Sequence, residues 1–263
     1  MTTVLVANDD GIFAAGIQAL IERLGPQYDV YVVAPDRERS AMGHALTLHK
    51  PIRVDEEDLG FNVKKAYAIT GTPSDCVKLG LNALMPELGI KPDIVISGIN
   101  HGPNIGADVL YSGTVSAAME GAIHGTPSIA VSLINGSEKY ADFGPTADFI
   151  TQFIPKVLEA NLPPKTILNV NTPAVPLHDM TGTYFTKLGL RMYTDTFEKR
   201  VDPRNNVYYW LAGEIITQSE DGHETDVVAL RNNAISITPI SFDLTNHKTY
   251  ESYKDYFDKT FGQ

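Results

Sequence analysis

Short apolar runs, each bounded by turn-forming residues, recur through the first two thirds of the chain. Most of them show no alternation of apolar and polar positions, which is typical of parallel strands that are covered on both faces. The runs lie at residues 4–7, 30–34, 67–69, 94–96, 129–131 and 167–170. We therefore predict that these segments are the buried strands of one parallel sheet.

Helical patterns separate these strands. They are predicted over residues 17–24, 72–84, 114–124 and about 145–159. The second helix has a complete start signal, with Thr72 as N-cap, Pro73 in the first position and Asp75 in the third. The alternation of strands and helices predicts an α/β fold with a Rossmann-like, doubly wound, mostly parallel sheet.

The alternation stops near residue 180. After it, the pattern predicts a β-hairpin from Tyr208 to Ile216, a strand over residues 235–238 and an extended amphipathic arm from Thr249 to Gly262. We divide the chain into a Rossmann-like catalytic domain, residues 1–180, and a C-terminal part, residues 181–263, with the hairpin, a closing strand and an oligomerisation arm. Because the βαβ pattern ends before it, we expect the C-terminal part not to be needed to complete the sheet.

The arm is rich in aromatic residues. Tyr250, Tyr253 and Phe257 are spaced so that they share one face of a helix. The aromatic face could pack against its own domain, which is the common case for a C-terminal tail. Aromatic residues in an extension with few other apolar residues favour a shared interface instead. We predict an oligomer that is built through this segment.

The composition narrows the classes of function. The 263 residues suffice for one large α/β domain. A formal net charge of −11 argues against a surface for duplex nucleic acid, whereas bound cations could still neutralise a small phosphorylated substrate. No apolar run approaches the roughly 18 residues of a membrane span, and the first residues resemble a strand, not a secretory leader. We therefore expect a cytoplasmic protein without a membrane partner, in which the single Cys76 is packed in the interior.

Adjacent carboxylates follow the first predicted strand. Ligands of open parallel sheets bind beyond the carboxyl ends of the strands, and Asp9 and Asp10 stand at such an end. Because two neighbouring carboxylates repel each other, this placement calls for a compensating cation. Carboxylate oxygens prefer hard ions such as Mg²⁺, Mn²⁺ or Ca²⁺. A solvated turn would explain the same residues, so this motif alone does not decide between a metal site and a turn.

Three further polar segments follow later strands. The loop at residues 34–44 contains Ser40, and the glycine-rich segment at residues 97–106 contains Asn100, which offers an oxygen ligand or an amide donor. Ser112 is a candidate N-cap, and the free N–H groups of a helix start bind phosphate. Each segment alone could be a solvated loop or an ordinary cap. Their joint occurrence at strand ends favours a binding site.

Several common catalytic motifs are absent from the sequence. No two glycines are separated by a single residue, which excludes the G-x-G dinucleotide fingerprint, and no Gly-Lys pair exists for a P-loop. The sequence also lacks G-x-S-x-G and a pair of histidines four residues apart. The nucleophile elbow of the α/β-hydrolases and the HExxH zinc site are therefore excluded.

Five segments, in this order, resemble the SurE (survival protein E) family of nucleotidases. They are VLVANDDGI at residues 4–12, APDRERSAMG at 34–43, GTPSDCV at 71–77, SGINHGPN at 97–104 and YSGTVSAAMEG at 111–121. Thr225, Asp226 and the segment ISITP at residues 235–239 look like a looser family ending. The resemblance is strong over residues 4–131, whereas residues 184–223 match nothing that we can place.

The resemblance implies a metal-dependent phosphomonoesterase that hydrolyses nucleoside 5′- and 3′-monophosphates with a metal-activated water. It implies one divalent ion per subunit, Mg²⁺ or Mn²⁺, and a homodimer or homotetramer formed through the C-terminal segment. The implied metal ligands are Asp9, Asp10, Ser40 and Asn100. Asp9 and Asn100 would also be catalytic. The implied substrate-binding residues are Asn104, Ser112, Gly113 and Thr114.

Other functions fit parts of the pattern. An aspartyl-phosphate phosphatase would use Asp9 as nucleophile, but it usually needs a D-x-D pair, and Asn8-Asp9-Asp10 lacks that spacing. A signalling receiver also places acidic residues after its first strand, but needs a phospho-accepting Asp after the third, where Thr70-Gly71-Thr72 stands. A nucleotide-binding module without catalysis is the third alternative, and an assay of phosphate-ester turnover would distinguish it.

Overall fold

The computed structural model describes residues 1–134, 142–194, 196–213, 215–217 and 224–262. The strands are β1 (Thr3–Ala7), β2 (Asp29–Pro35), β3 (Val54–Glu57), β4 (Lys65–Ile69), β5 (Ile94–His101), β6 (Ser128–Leu133), β7 (Thr166–Thr172), β8 (Thr183–Phe185), β9 (Arg191–Tyr193), β10 (Thr196–Val201), β11 (Val207–Ala212), β12 (Ile215–Thr217) and β13 (Ile235–Ser241). The α-helices are α1 (Ala15–Leu24), α2 (Pro73–Leu79), α3 (Met85–Glu87), α4 (Gly113–Ile123), α5 (Gly144–Ala160), α6 (Asp226–Arg231) and α7 (His247–Phe261). A π-helical turn, Gly80–Leu84, joins α2 to α3, and two 3₁₀ turns lie at Gly106–Leu110 and Leu177–Asp179.

A nine-stranded sheet with the order β3-β4-β2-β1-β5-β6-β7-β13-β8 is the centre of the described molecule. Six neighbouring strands of this sheet are mutually parallel, namely β4, β2, β1, β5, β6 and β7. Strand β3 runs antiparallel to β4, and β13 runs antiparallel to β7. Strand β8, at the far edge, is parallel to β13. The predicted α/β class and mostly parallel sheet are confirmed. All six predicted buried strands are present.

Both faces of the sheet are covered by helices. In β1, Val4 and Val6 point into the layer of α1 and α5, whereas Leu5 and Ala7 point into the layer of α2 and α4. The residues of β1 are apolar at every position because each face meets a hydrophobic core. Cys76 is fully buried in the second layer, as predicted, and burial raises the pKa of its thiol. No helix among the described residues has the length and apolar character needed to cross a membrane.

Two expectations for the C-terminal part were wrong. Residues after 180 do complete the main sheet, because β13 pairs with β7 over residues 235–241 and β8 forms the edge beyond it. The hairpin does not turn within residues 208–216. Instead β10 pairs with β11 around a turn at residues 202–206, and β9 pairs with β12 in the same register. The predicted strand at 235–238 is confirmed as part of β13.

The arm is a helix that touches little of its own chain. Residues 247–261 form α7, and none of them is buried. Tyr250, Tyr253 and Phe257 are each about half exposed, at 50, 55 and 52%. A lone helix of this length is marginal in water. The predicted role of α7 in oligomerisation stays a prediction.

Candidate active site

The four polar segments of the sequence meet at the carboxyl-terminal edge of the sheet. Strands β4, β2, β1 and β5 are consecutive neighbours and parallel, so the segments that follow them emerge side by side. Asp9 follows β1, the loop with Ser40 follows β2, and Asn100 lies near the end of β5. The start of α4 closes the group from one face, since a Cβ atom at Gly113 would lie 2.8 Å from the Asp9 Cβ.

Asp9 is an almost completely buried carboxyl group, with 4% of its surface exposed. The hydroxyl of Thr114, in the first turn of α4, donates a hydrogen bond to Asp9 Oδ1. Burial raises the pKa of Asp9 to about 6, the Thr114 hydrogen bond opposes the rise, and the neighbouring Asp10 adds to it. The structure therefore disfavours a negative charge at Asp9 unless a cation lies beside it.

Asp10 is the more accessible of the pair. Its Oδ2 accepts a hydrogen bond of 3.1 Å from the backbone N–H of His101, at the end of β5. Burial raises the pKa of Asp10, the His101 hydrogen bond and ring lower it, and the nearby Glu38 carboxylate raises it. Glu38 is thus a third acidic group near the pair. Nothing in the sequence distinguishes Glu38 from its polar neighbours, because it lies in a loop whose course only the structure shows.

Asn100 is placed by an irregularity in β5. The register with β6 shifts between Ser97 and Asn100, and Gly98 approaches the neighbouring strand so closely that a Cβ there would lie 2.3 Å from the Val131 carbonyl oxygen. The Asn100 amide nitrogen donates a 2.7 Å hydrogen bond to the Gly102 carbonyl. This bond uses one of the two amide hydrogens, and the amide oxygen stays available as a ligand.

The loop after β2 brings Ser40 to the edge of the site. The backbone N–H of Arg39 donates a 2.7 Å hydrogen bond to the Asp9 carbonyl, which fixes this part of the loop beside the carboxylates. Ser40 itself is exposed, and its hydroxyl donates a 2.7 Å hydrogen bond to Glu38 Oε1. In this arrangement the Ser40 hydroxyl is directed at Glu38, and metal ligation by Ser40 stays a prediction.

The start of α4 combines a cap with a close approach. Ser112 Oγ accepts a 3.0 Å hydrogen bond from the Val115 N–H and is therefore the N-cap, as predicted. Gly113 has no room for a side chain, because a Cβ would lie 2.9 Å from both Asp9 Oδ2 and the Pro73 ring. The backbone at Gly113 and Thr114 therefore lies directly against Asp9. The N–H groups of this first turn have no partner within the helix and suit an anion.

Asn104 holds a different place from the other predicted residues. Its backbone N–H donates to Asn171 Oδ1 at 2.8 Å, and its side-chain nitrogen donates to Ser132 Oγ at 2.8 Å. Its carbonyl accepts from the side chains of Asn169 and Asn171. These bonds bury Asn104 in a polar network above β6 and β7. The network fixes the loop after β5, and substrate binding by Asn104 stays a prediction.

The residues present fit a hard divalent cation. Asp9 is buried and Asp10 is half-buried, the pKa values of both carboxyl groups are raised, and Glu38 adds like charge near Asp10. The Asn100 oxygen can supply a neutral ligand from the next strand. Among the residues that the structure describes, no three His, Cys, Asp or Glu side chains converge on one point. An ion at this edge would therefore take two aspartates and complete its shell with amide, hydroxyl or water oxygens, which suits Mg²⁺ or Mn²⁺ better than Zn²⁺.

Comparisons with known proteins agree with the resemblance in the sequence. The family model for "Survival protein SurE" matches residues 4–195. The 5′-nucleotidase SurE of Gloeobacter violaceus is 55% identical over 246 residues, which are 92% of this chain and 90% of that protein. The 5′-nucleotidase SurE of Synechococcus elongatus is 51% identical over 94% of this chain and 96% of its own length. The crystal structure of the SurE protein from Aquifex aeolicus matches with a TM-score of 0.82 and 41% identity, over 97% of this chain and all of that one.

Proposed function

The chain belongs to the SurE family, and on that premise we propose that it hydrolyses nucleoside monophosphates with the help of a divalent metal ion. The single observation that carries the metal is the pair of adjacent carboxyl groups, buried Asp9 and half-buried Asp10. Burial raises the pKa of both carboxyl groups, and no described Lys or Arg side chain forms an ion pair with either of them. A bound cation would offset this electrostatic cost.

We assign the ion to Asp9, Asp10, Asn100 and Ser40. The first three already lie on neighbouring strand ends, whereas the Ser40 hydroxyl would have to turn from Glu38 to the ion. A divalent cation held by these residues would polarise phosphoryl oxygens and lower the pKa of water. A proton-transfer role for Asp9 would depend on the raised pKa that a bound cation itself lowers. Metal binding is therefore the first role of Asp9.

The start of α4 would hold the phosphoryl group. The N–H groups of Gly113 and Thr114 belong to the first helical turn and have no partner within the helix, and Gly113 brings this turn against the Asp9 carboxyl group. A phosphate here would lie between the helix N-terminus and the ion, so two positive fields would stabilise its charge. The Thr114 hydroxyl already orients Asp9 and so links the two halves of the site.

We infer that both 5′- and 3′-monophosphates are substrates. The groups that we assign to the site, the ion and the N–H groups at the start of α4, bind the phosphate and not the sugar. The rates of phosphate release from 5′-AMP and 3′-AMP test this directly. Comparable values of kcat/KM support the inference. A 3′-AMP rate at the level of the uncatalysed blank would restrict the activity to the 5′-position.

The metal has its own test, which does not depend on substrate. Calorimetric titration of Mn²⁺ and of Mg²⁺ into metal-stripped protein should show one site per chain. Asp10→Asn should abolish the heat of binding, because an amide supplies no charge to a hard cation. Unchanged binding in that variant would exclude Asp10 as a ligand.

We further propose a homodimer or homotetramer in which α7 and the β10–β11 hairpin are covered by another copy. Phe197, Tyr209, Trp210 and Leu211 of the hairpin are all more than half exposed. A two-stranded ribbon is marginal on its own, so a second chain would supply the missing contacts.

A further inference from the structure

A buried carboxylate outside the proposed site ties the Ser40 loop to α4. The Glu120 cluster consists of Glu120, His44, Lys78 and His124. The Glu120 side chain is 3% exposed, and its two oxygens accept hydrogen bonds from His44 Nε2 at 2.8 Å and Lys78 Nζ at 2.6 Å. His124, one helical turn later, approaches Glu120 Oε1 to 3.5 Å. Burial alone would raise the pKa of Glu120, but the His44 and Lys78 hydrogen bonds lower it to about 2.

The members of the Glu120 cluster come from different parts of the chain. Glu120 lies on α4, about two turns beyond the Gly113 that contacts Asp9. Lys78 lies on α2. His44 alone comes from the loop between β2 and β3, four residues after Ser40. The bond from His44 to Glu120 therefore joins that loop to the helix whose start forms the proposed phosphate site.

The loop needs such an anchor because it has no regular structure of its own. Residues 36–53 contain neither a helix nor a strand, and most of them are exposed. On the side of Ser40 the loop is held by the Arg39 N–H on the Asp9 carbonyl and by the Gly43 N–H on the Tyr111 carbonyl at 3.0 Å. Both are single backbone bonds between neutral groups. Beyond His44, the Ala45 carbonyl accepts a 2.7 Å hydrogen bond from Thr72 Oγ1, and the Thr47 N–H donates one of 3.1 Å to the Asp75 carboxylate. His44 adds a charge-assisted bond to a buried acceptor, which is stronger than either of the two backbone bonds.

We propose that His44, held by buried Glu120, is a positioning residue that fixes the Ser40 loop against the start of α4. A carboxylate only accepts, so His44 Nε2 carries the hydrogen in this bond. Because α4 also carries Ser112 to Thr114, one rigid helix sets the distance between the phosphate-binding turn and the loop that supplies Ser40. The inference rests on the proposed function, since it gives the loop its purpose through the metal ion.

Lys78 provides a matched control. His44→Ala and Lys78→Ala each remove one hydrogen bond from the same carboxylate, but only His44 belongs to the loop. His44→Gln keeps an N–H donor near the position of Nε2 and should act as the conservative rescue. Thermal melts of all three variants report the structural cost of disturbing Glu120, which the two alanine variants share.

Two readouts on the full-length protein test the proposal. The first is calorimetric Mn²⁺ affinity of the metal-stripped protein. We expect His44→Ala to weaken it on the order of tenfold, as is usual for a residue that orients a ligand, while Lys78→Ala stays within about twofold of wild type and His44→Gln recovers most of the loss. The second is the rate of tryptic cleavage at Arg37 and Arg39 without metal, which should rise severalfold in His44→Ala only.

The outcomes separate the inference from the proposed function. A wild-type protein that binds no Mn²⁺ and hydrolyses no nucleotide would refute the function, and the proteolysis comparison would still decide whether His44 fixes the loop. If His44→Ala binds Mn²⁺ as tightly as wild type and is cleaved no faster, His44 is no anchor. If Lys78→Ala loses as much affinity as His44→Ala, the effect belongs to Glu120 and the fold of α4, and the proposal is wrong.

Discussion

At the scale of single residues, the site is governed by the cost of burying Asp9. Burial raises the pKa of this carboxyl group from 3.8 to about 6, so the folded protein binds the proton more tightly than the unfolded chain does. The associated stability is fully present below pH 4 and is lost as the pH rises through 6. The corresponding free energy is about 3 kcal/mol at most.

Asp9→Asn should remove this pH-dependent loss. In metal-free protein we expect the variant to melt at the same temperature as wild type near pH 4 and several degrees higher at pH 8. Asp55→Asn, in the exposed strand β3, is the control and should leave the melting temperature unchanged at both values. A variant that melts below wild type at pH 8 would show that Asp9 does not carry an electrostatic cost.

Thr114 and Ser112 lie two residues apart, but we expect them to have different roles: Thr114 acts in catalysis through Asp9, and Ser112 caps α4. Thr114→Val keeps the shape of the side chain but removes the donor to Asp9. Because losing a partner that orients a metal ligand typically costs about 10- to 100-fold in activity, we expect kcat/KM to fall roughly 10- to 100-fold. Steady-state kinetics on 5′-AMP measures the effect, and unchanged kinetics would remove Thr114 from the site.

Ser112→Ala should behave in the opposite way. Ser112 Oγ accepts from the Val115 N–H, so its loss removes the cap of α4 and costs about 1 kcal/mol of unfolding free energy. The N–H groups that would bind phosphate are those of the backbone and remain in place. Denaturant melts and kcat/KM of the variant together decide whether Ser112 only caps α4: the cap predicts a loss of stability with unchanged kinetics. A large kinetic loss without a loss of stability would mean that the hydroxyl itself contacts the substrate.

The sequence allowed most of the candidate site to be predicted residue by residue. Asp9, Asp10 and Asn100 come together because strand ends in a parallel sheet converge, a rule that needs only the strand assignment. Asn104 differs, because its partners Ser132, Asn169 and Asn171 lie on other strands. No local pattern distinguishes an asparagine that faces a ligand from one that fixes a loop.

At the scale of elements, α4 is the part on which the site depends. Its first turn contacts Asp9 without any intervening side chain, since a Cβ at Gly113 would lie 2.8 Å from the Asp9 Cβ. Gly113→Ala should therefore push the helix start away from Asp9. We expect kcat/KM to fall at least tenfold, because misplacement by about 1 Å can cost 100-fold.

Gly121→Ala provides the control within the same helix. A Cβ there would lie 2.4 Å from Ser128 Oγ and 2.9 Å from the Val95 side chain, far along α4 from Asp9. It should lower the unfolding free energy through overpacking, on the order of 1–3 kcal/mol, and leave kcat/KM of the folded protein near wild type. Equal kinetic losses in the two variants would mean that the site responds to the helix as a whole.

Elements with a strong apolar pattern were predicted, and polar ones were not. Unbroken apolar runs predict strands β1, β2, β4, β5, β6 and β7, because both faces of these strands are buried. Strand β3, with the sequence VDEE, is an exposed edge and carries no such signal. The hairpin was misplaced for the same reason, since its polar strand β10 is exposed at every described position and only the aromatic β11 stands out.

At the scale of the whole molecule, the exposed aromatic residues of α7 call for a partner. None of the residues of α7 is buried, and the aromatic side chains of Tyr253, Tyr256 and Phe257 are each more than half exposed. We expect light scattering at micromolar concentration to give a dimer or tetramer. A chain that ends at Asp243, and the variant Tyr253→Glu/Phe257→Glu, should shift toward monomer.

The polar face of the same helix supplies the comparison. Glu251→Lys/Asp255→Lys changes two charges of α7 without touching its aromatic residues and should keep the oligomeric state of wild type. A monomeric wild-type protein would refute the prediction. An aromatic variant that keeps the full assembly would place the interface elsewhere, with the β10–β11 hairpin as the next region to test.

The central claim is that Asp9 and Asp10 hold a divalent ion without which phosphate esters are not hydrolysed. The most direct measurement is phosphate release from 5′-AMP by metal-stripped protein during a titration with Mn²⁺, for wild type and for Asp10→Asn. We predict no turnover before metal is added, a saturable rise for wild type, and less than about 1% of that rate for Asp10→Asn, because an amide cannot replace the carboxylate charge. Full activity in the presence of EDTA, or a wild-type response in Asp10→Asn, would contradict the claim.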